Sequence, residues 1–422
     1  MSDTEELDAY RSRARTWIQA NLAPKVARRG PVSMGGGEKT IEEIDANRLV
    51  QRQLFDGGFA GITWPAEYGG QGLSAQHERV FTEEARGFTL PDLGIAGGAT
   101  MGVCAPTMLA HGSPAFLANH IPKILKGEEI VVQFFSDPDA GSDLAGVRTQ
   151  AVRDGDRWIL NGSKIWSSGA YYANVGMCLA RTDWDAPKHR GLTWFSVPTN
   201  APGVTVERIR QINGSAEFCQ EYFDNVELTD DDIIGDVNGG WAVAQTMLMF
   251  ERGAGAVQGS GGRRQAPPLV PQDVLDVAEA AGRLAEPDVR DALARIAVDD
   301  AARSALGRRL AGLMADDMSM AANIASYSKL ASGVFDPIRA NLAMRIAGPG
   351  GLVWTQADEP GAVAAVNLLN SRFMAIAGGT TQMQRNAIGE RVLGFPREPS
   401  FDTRKPFRDV VRDSQNWSGA VS

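Results

Sequence analysis

The sequence predicts a multidomain α+β protein in which a β-rich middle part separates two helical parts. The length of 422 residues exceeds what one hydrophobic core usually organises. Along the chain, the hydrophobic period changes from helical spacing to short β-prone runs and back again. Hydrophobic residues make up 43% and charged residues 22% of the chain, as in ordinary globular domains.

The first part, residues 1–131, is predicted to be an α-helical domain. Leu7, Tyr10, Ala14 and Trp17 recur at helical spacing, and similar patterns run through "IEEIDANRLVQRQLFDGG", "SAQHERVFTEEARG" and "PAFLANHIPKILKGEE". The stretch "GITWPAEYGGQGLS" is rich in proline and glycine, which indicates a connection between helices.

The middle part, residues 132–236, is predicted to be an antiparallel β-barrel or sandwich. The runs "NVGMCLART", "GLTWFSVP", "GVTVERI" and "EYFDNVEL" are β-prone and closely spaced, with turn residues between them. Asp154-Gly155 and Asn161-Gly162 each predict a hairpin turn, because both dipeptides favour the backbone conformations that such turns require.

The last part, residues 237–400, is predicted to be helical again, followed by a tail over 401–422. The segment "GGWAVAQTMLMFERGAGAV" indicates one helix, "SGGRRQAPPLVP" an exposed loop, and the later segments further helices. The tail is predicted to be irregular, and it could pack on a neighbouring subunit.

Charge and cysteine pattern narrow the function classes. A net charge of −9 argues against nucleic acid or an anionic membrane as the main partner. The polar first 20 residues predict no signal peptide, and no apolar run approaches the ~20 residues of a membrane span. The cysteines and histidines are scattered, which predicts neither disulfides nor a metal site and fits a reducing cytoplasm. They are Cys104, Cys178, Cys219, His77, His111, His120 and His189.

Three segments carry chemical signals. In "QFFSDPDAGSDLAG", small residues would let a flat ligand approach the backbone near Ser136, Ser142 and Asp143, although an ordinary Asp/Ser/Gly turn is the alternative. In "NGSKIWSSGAYYA", Trp166 could shield one face of an aromatic cofactor or be a core residue of a strand. In "AIAGGTTQMQR", two glycines precede a helix start of the kind that holds phosphates.

Together these motifs resemble the acyl-CoA dehydrogenase family, flavoenzymes that introduce an α,β double bond into acyl-CoA thioesters. "WPAEYGGQG", "SDPDAGSD", "NGSKIWSSGAYYANVGMCLARTD", "FDNVEL…GDVNGGW", "FERG" and "GGTTQMQRNAIGERVLG" stand in the family's order over about 330 residues. The last motif and "REPSFDTRKPF" resemble bacterial members of actinomycete-type lipid or steroid catabolism. The resemblance implies an N-terminal helical domain, a central antiparallel β-barrel, a C-terminal four-helix bundle, FAD as cofactor and an electron-transfer flavoprotein or similar acceptor.

The resemblance also implies roles for single residues. The stretch from Gln133 through Phe135 to Ser136 would contact the flavin ring and ribityl region. Trp166 and Ser168 would pack on the flavin and bond near its N5/O4 edge.

Thr380 and Gln382 would bind the phosphate and adenosine portion of FAD at a helix start. Arg345, with Gly348 after it, stands where the family usually has a flavin-contacting glutamine and could neutralise the pyrophosphate. Ser142 would lie near the acyl-CoA and the cofactor.

The place of the catalytic base departs from the commonest pattern. Many members carry a glutamate just before the Gly-Thr pair, where this chain has Gly378. A second location is known in the isovaleryl-type members, and the matching residue is Glu251. Trp241, Ala244, Leu248 and Glu251 share one helix face, so we expect an acid on an apolar stripe.

We expect desolvation to raise the pKa of Glu251, while Arg252 holds the substrate or tempers that shift. An exposed Glu-Arg pair at the helix end is the alternative. The absence of a side chain at Gly378 predicts a bulky, branched or polycyclic acyl group.

Two departures keep other functions open. Asp137 replaces the family's usual glutamate, and the Arg-x-x-Phe-Gly segment that reaches a neighbouring subunit's FAD is not recognisable. Arg263, Arg264 or Arg345 could replace that contact, or a different partner chain could supply it. Besides an active dehydrogenase in a homo- or hetero-oligomeric dimer or tetramer, the alternatives are a non-catalytic, FAD-sharing partner subunit and a flavin monooxygenase or oxidase on the same fold.

Overall fold

The computed structural model describes residues 5–25, 38–251, 270–316, 321–353, 359–400 and 402–415. The helical, β-rich and helical parts follow one another as the hydrophobic periods predict, so the predicted fold class is confirmed. The boundaries drawn at 131/132, 236/237 and 400/401 remain a prediction.

The N-terminal part packs its helices around one apolar cluster. Thr40 begins the second helix with a reciprocal capping box, in which its hydroxyl and the Glu43 carboxylate each accept a backbone N–H. The buried cluster includes Tyr10, Phe59 and Met108. The helices are α1 Leu7–Asn21, α2 Ile41–Asp56, α3 Ala75–Glu84, α4 Gly94–Ala99, α5 Ala105–His111 and α6 Pro114–Leu125, with a π-helical turn Thr100–Cys104 between α4 and α5.

The middle part is one sheet that, within the described residues, has eight strands in the order β6-β7-β3-β2-β4-β5-β8, with β1 on β4. The strands are β1 Val131–Phe134, β2 Gln150–Asp154, β3 Arg157–Ser168, β4 Val175–Arg181, β5 Leu192–Pro198, β6 Val204–Ile209, β7 Phe218–Leu228 and β8 Ile233–Ile234. Most pairs are antiparallel as predicted, but β1 and β2 each run parallel to β4.

One of the two predicted hairpin turns is confirmed and the other is wrong. Asp154 pairs with Arg157 across the β2–β3 hairpin. Asn161-Gly162 instead lies inside β3, where the register with β7 shifts. A Cβ on Gly162 would stand 2.7 Å from the Thr149 Cα, so a glycine is required at this bulge by close backbone approach.

The C-terminal part is helical, and Glu251 is the last described residue of its first helix. No helix within the described ranges is long and apolar enough to cross a bilayer. The helices are α7 Gly240–Glu251, α8 Gln272–Ala280, α9 Pro287–Asp316, α10 Ala321–Ala347, α11 Glu359–Asn370, α12 Thr381–Arg391 and α13 Phe407–Gln415.

The tail differs from the prediction of an irregular segment. Its described part forms α13 and packs on the sheet part of the same chain. Phe407 is buried against Trp184, and the Arg181 guanidinium lies 4.0 Å from the centre of the Phe407 ring. Lys188 forms ion pairs with both Asp402 and Asp143, which ties the tail to the loop after β1.

Candidate active site

A buried ion pair fixes the loop that follows β1. The Asp137 carboxylate receives a hydrogen bond from the Lys164 ammonium at 2.7 Å and others from the Thr149 N–H and hydroxyl. The Lys164 side chain is fully buried and also donates to the Phe135 carbonyl at 2.8 Å. The loop from Phe135 to Asp137 is therefore rigidly joined to β3, at the point where Trp166 follows.

Trp166 lies at a second bulge of β3, where the register with β7 shifts between Ile165 and Ser167. Its backbone φ of 71° is in the left-handed region, which is unusual for a bulky residue. The side chain is 56% exposed, so the alternative of a core tryptophan is wrong. Strained backbone that presents an aromatic face to the outside is typical of a ligand-binding position.

The structure brings Trp166 close to the loop after β1 and to the C-terminal part. The Ile165 N–H donates to the Ser136 carbonyl at 2.9 Å. The Trp166 ring packs edge-on against Phe218, and Phe218 stacks on Phe373 with ring centres 5.8 Å apart. Phe373 begins the turn that leads to Gly378. Ser168, at the end of β3, pairs with Phe218 in the same region and is half-buried.

Gln133 and Phe135 line the same end of the sheet. The Gln133 Nε2 is buried, and no described residue accepts a hydrogen bond from it. Phe135 packs edge-on against Trp194, whose indole N–H donates to the Gly240 carbonyl at the start of α7. The helix that carries Glu251 is thus anchored to the sheet beside the predicted flavin-contacting residues.

The glycine turn before α12 has the predicted geometry of a helix start. Gly378 and Gly379 both adopt positive φ, 62° and 90°. Thr380 is the N-cap of α12 and accepts a hydrogen bond from the Met383 N–H. The buried Gln384 amide donates to the carbonyls of Gly378 and Gly379, which holds the turn in place. Gln382 is exposed in the first turn of the helix.

Glu251 lies directly beside Gly378. A Cβ on Gly378 would stand 3.3 Å from the Glu251 Oε1. The two positions that the sequence offered for a base therefore meet at one point, although they are far apart in the chain. Glu251 is exposed in this chain, so the expectation of an acid desolvated by the protein alone is wrong. The buried face of α7 runs instead through Val243, Ala244 and Met247.

Ser142, Arg345 and Gly348 lie on elements other than α7, β3 and α12. Ser142 is exposed in a turn, next to the ion pair of Asp143 with Lys188. Arg345 is exposed near the end of α10, and Gly348 begins the following turn with a φ of 57°. The α12 start contacts α10 near Gly333, so Arg345, twelve residues on, lies roughly 18 Å further along the helix.

Arg252, Arg263 and Arg264 lie outside the described residues.

Three buried charged residues of this region were not singled out by the sequence reasoning. Glu221 on β7 accepts a hydrogen bond from the Ser167 hydroxyl at 2.9 Å, and burial raises its pKa to about 8. Arg181 is fully buried, with its guanidinium on the carbonyls of Lys188 and Ala145, and burial lowers its pKa to about 10. Lys164 is the third. A charged residue within a β-prone run is the signal that could have found them.

The residues present fit a bound flavin. The orphaned Gln133 amide supplies a donor, and the outward-facing Trp166 supplies an aromatic face. The start of α12 supplies N–H groups suited to a phosphate. These features surround one corner of the molecule, which is formed by Gln133, Trp166, Gly378 and the start of α12. Glu251 also lies at this corner.

Three family models match the chain in succession: the acyl-CoA dehydrogenase N-terminal domain over residues 4–128, the middle domain over 133–226 and the C-terminal domain over 238–393. The chain belongs to the acyl-CoA dehydrogenase family, whose members are FAD-dependent oxidoreductases. Family membership confirms the predicted resemblance and the predicted cofactor.

Two relatives from Mycobacterium tuberculosis illustrate the similarity. Acyl-CoA dehydrogenase FadE34 is 38% identical over 363 residues, which cover 85% of this chain but 48% of FadE34, so the chain spans about half the length of that relative. Acyl-CoA dehydrogenase IpdE1 is 33% identical over 400 residues, which cover 94% of this chain and 99% of IpdE1.

Solved structures with the same fold include the Tcur3481-Tcur3483 steroid ACAD, at 27% identity and a TM-score of 0.70, covering 94% of this chain and all of that one. The ChsE4-ChsE5 complex from Mycobacterium tuberculosis is similar at 25% identity and a TM-score of 0.66, with 94% of this chain and 100% of that one covered. Structural neighbours of this chain thus include a heteromeric complex.

Proposed function

We propose that the chain catalyses α,β-dehydrogenation of an acyl-CoA thioester, with Glu251 as the base that removes the α-proton. The observation that carries this proposal is the 3.3 Å distance between the Glu251 Oε1 and the point where a Cβ on Gly378 would stand. Many family members place the base at the position of Gly378, so Glu251 brings a carboxylate to the same corner from another helix.

The side chains of this corner would have different roles in the reaction. The α-proton would pass to the Glu251 carboxylate while the Trp166 face and the Gln133 amide orient the cofactor. Bound FAD would supply the acceptor for the hydride that leaves the β-carbon. The Phe218–Phe373 stack closes the side between the sheet and the glycine turn, which helps to exclude water from the reacting carbons.

The exposure of Glu251 fits a base that the substrate itself covers. A carboxylate that is solvated in the chain alone becomes desolvated when an acyl group packs over it, and desolvation raises its pKa and its strength as a base. The turn carries no side chain at Gly378, and this supports a bulky, branched or steroid-like acyl group. A steroid ACAD among the structural neighbours supports the same substrate class.

The test is Glu251→Gln in the FAD-loaded protein, mixed anaerobically with a panel of acyl-CoA thioesters. Because a positioned base contributes about 10²–10⁴-fold, we expect flavin bleaching to slow by at least 100-fold, with FAD content unchanged. Glu279→Gln, at an exposed position on α8, is the matched control and should react like the wild type. A Glu251→Gln protein that still oxidises the thioester at near wild-type rate would show that the base lies elsewhere.

A second candidate is a partner subunit that shares FAD with another chain. Arg345 and Gly348, predicted to contact FAD, lie away from the Trp166 corner and next to Leu352 and Val353, which are 77% and 83% exposed. Such apolar exposure would suit a subunit interface. If this candidate is right, the chain purified alone will contain little FAD and will gain both FAD and activity with a second chain, as light scattering and absorbance would show.

A further inference from the structure

A lysine lies next to the proposed base. Lys329, half-buried on α10, places its Cε 3.3 Å from the point where a Cβ on Gly378 would stand, the same distance at which the Glu251 Oε1 lies. Its ammonium donates a hydrogen bond to the Met374 carbonyl at 2.7 Å. Met374 belongs to the turn that leads to Gly378, so the position of the ammonium is fixed by the same turn.

We propose that Lys329 is a positioning residue for Glu251. Its ammonium, held on the Met374 carbonyl, keeps the Glu251 carboxylate ionised when an acyl-CoA covers it. This inference rests on the proposed function, because it concerns the state of the base in the dehydrogenation reaction.

Substrate binding creates the need for a cation beside the Glu251 carboxylate. Covering an exposed carboxylate with an acyl group disfavours its charged form, and a carboxyl that picks up a proton in the complex can no longer accept one from the substrate. A nearby cation opposes this effect, because it favours the charged form of the carboxyl. Lys329 is well suited to this role since its ammonium is tethered and does not need to be recruited by the substrate.

On the π-helical turn and on α5, the described elements that pack against α7 from the N-terminal part, the titratable groups are neutral. Cys104, on the π-helical turn, is fully buried, and burial together with the charge of Glu251 raises the pKa of its thiol, which therefore stays neutral. His111 bonds to Thr246 on α7, and burial lowers its pKa, so it is neutral near pH 7. The turn "FMAIAGGT" from Phe373 to Thr380 contains no ionisable side chain.

The experiment compares Lys329→Met with Lys329→Arg in the FAD-loaded full chain. The rate of anaerobic flavin reduction by a reactive acyl-CoA is measured as a function of pH. In Lys329→Met, we expect the acidic limb of the profile to move up by about 1 pH unit, because the carboxyl holds its proton to higher pH. Lys329→Arg keeps a positive charge and should keep the wild-type limb.

A second readout does not depend on turnover. Infrared difference spectra against Glu251→Gln report the titration of the Glu251 carboxyl directly, and the titration midpoint should rise in Lys329→Met but not in Lys329→Arg. Lys329→Gln serves as a second neutral variant if the methionine protein folds poorly.

Two outcomes would overturn the inference. An unchanged acidic limb in both neutral variants would show that Lys329 does not act on the base. A uniform loss of rate or FAD at every pH would assign Lys329 a purely structural role through the Met374 contact. Failure of the proposed function itself is distinct, since it would appear as a Glu251→Gln protein that remains active.

Discussion

Two parts of the molecule place a lysine next to an acid, and they do so in opposite ways. At the loop after β1, Asp137 and Lys164 are buried, at 6% and 0% exposure, and several further hydrogen bonds hold the carboxylate. At the corner between α7 and α10, Glu251 is exposed and Lys329 is half-buried beside the Gly378 turn. The first carboxylate has its acceptor positions occupied by hydrogen bonds, whereas the second lies at the surface.

Under the proposed function, this difference separates a structural carboxylate, Asp137, from a catalytic one, Glu251. A carboxylate that already accepts hydrogen bonds from a lysine and from backbone N–H groups has little capacity to take a substrate proton. As the proposed base, the exposed Glu251 carboxylate beside Gly378 would approach a substrate carbon. Removing the acid should therefore damage the fold in one region and the chemistry in the other.

The largest expected effect on stability is at Asp137. In Asp137→Asn, the buried Lys164 ammonium loses its counter-charge, and breaking a buried pair costs about 3–5 kcal/mol. Urea titration followed by tryptophan fluorescence measures this loss. Glu251→Gln, the acid of the other region, should unfold within about 0.5 kcal/mol of the wild type, because it is exposed.

A double variant sharpens this prediction. If the cost arises from an uncompensated charge, Asp137→Asn combined with Lys164→Met should be less destabilised than the sum of the two single variants. Additive losses would show that Asp137 acts through its bonds to the Thr149 N–H and hydroxyl rather than through Lys164.

The buried region also predicts a pH effect of intermediate size. Burial raises the pKa of Glu221 from 4.5 to about 8, so the folded chain keeps a proton that the unfolded chain releases. The stability contribution is therefore present below about pH 4.5 and is lost progressively as pH rises towards 8. Glu221→Gln has no proton to lose, so its stability relative to the wild type should increase across this window.

Unfolding curves at pH 5, 6, 7 and 8 measure this difference. Glu227→Gln is the matched control, because Glu227 lies on the same strand but is exposed and pairs with Arg157. A Glu221→Gln protein whose stability parallels that of the wild type at all four pH values would show that Glu221 is ionised in the folded chain.

The order of the elements could be predicted from hydrophobic periods, but the bulges of β3 could not. Asn161-Gly162 predicts a turn because its composition suits one, yet a bulge with close backbone approach requires glycine just as strictly. Only pairing with β7, more than fifty residues away, distinguishes the two. The same long-range pairing turns Trp166 outwards and Ser167 inwards, which alternation along the strand alone does not reveal.

In the candidate site, too, some residues could be predicted from the sequence and others could not. The sequence, through its resemblance to a family, led to both Gly378 and Glu251, and the structure places these two residues together. Lys329 was missed because one lysine on a long helix gives no local signal, and its meaning depends on the turn that packs against it. The position of α13 was missed for the same reason, since Phe407 is buried by Arg181 and Trp184 from a distant part of the chain.

The smallest expected effect tests whether the turn before α12 requires a glycine at position 378. Gly378 has a φ of 62°, and its Cβ in Gly378→Ala would lie 3.3 Å from both the Glu251 Oε1 and the Lys329 Cε. We expect about 1 kcal/mol of destabilisation from the left-handed backbone. We also expect the substitution to slow flavin reduction more for bulky acyl-CoA thioesters than for small ones. Gly389→Ala, inside α12 with only an ordinary 3.5 Å contact to Phe395, should be neutral or stabilising, because alanine favours a helix interior. Equal stability of the two variants would show that the turn tolerates a side chain, and the absence of one at Gly378 would then need another explanation.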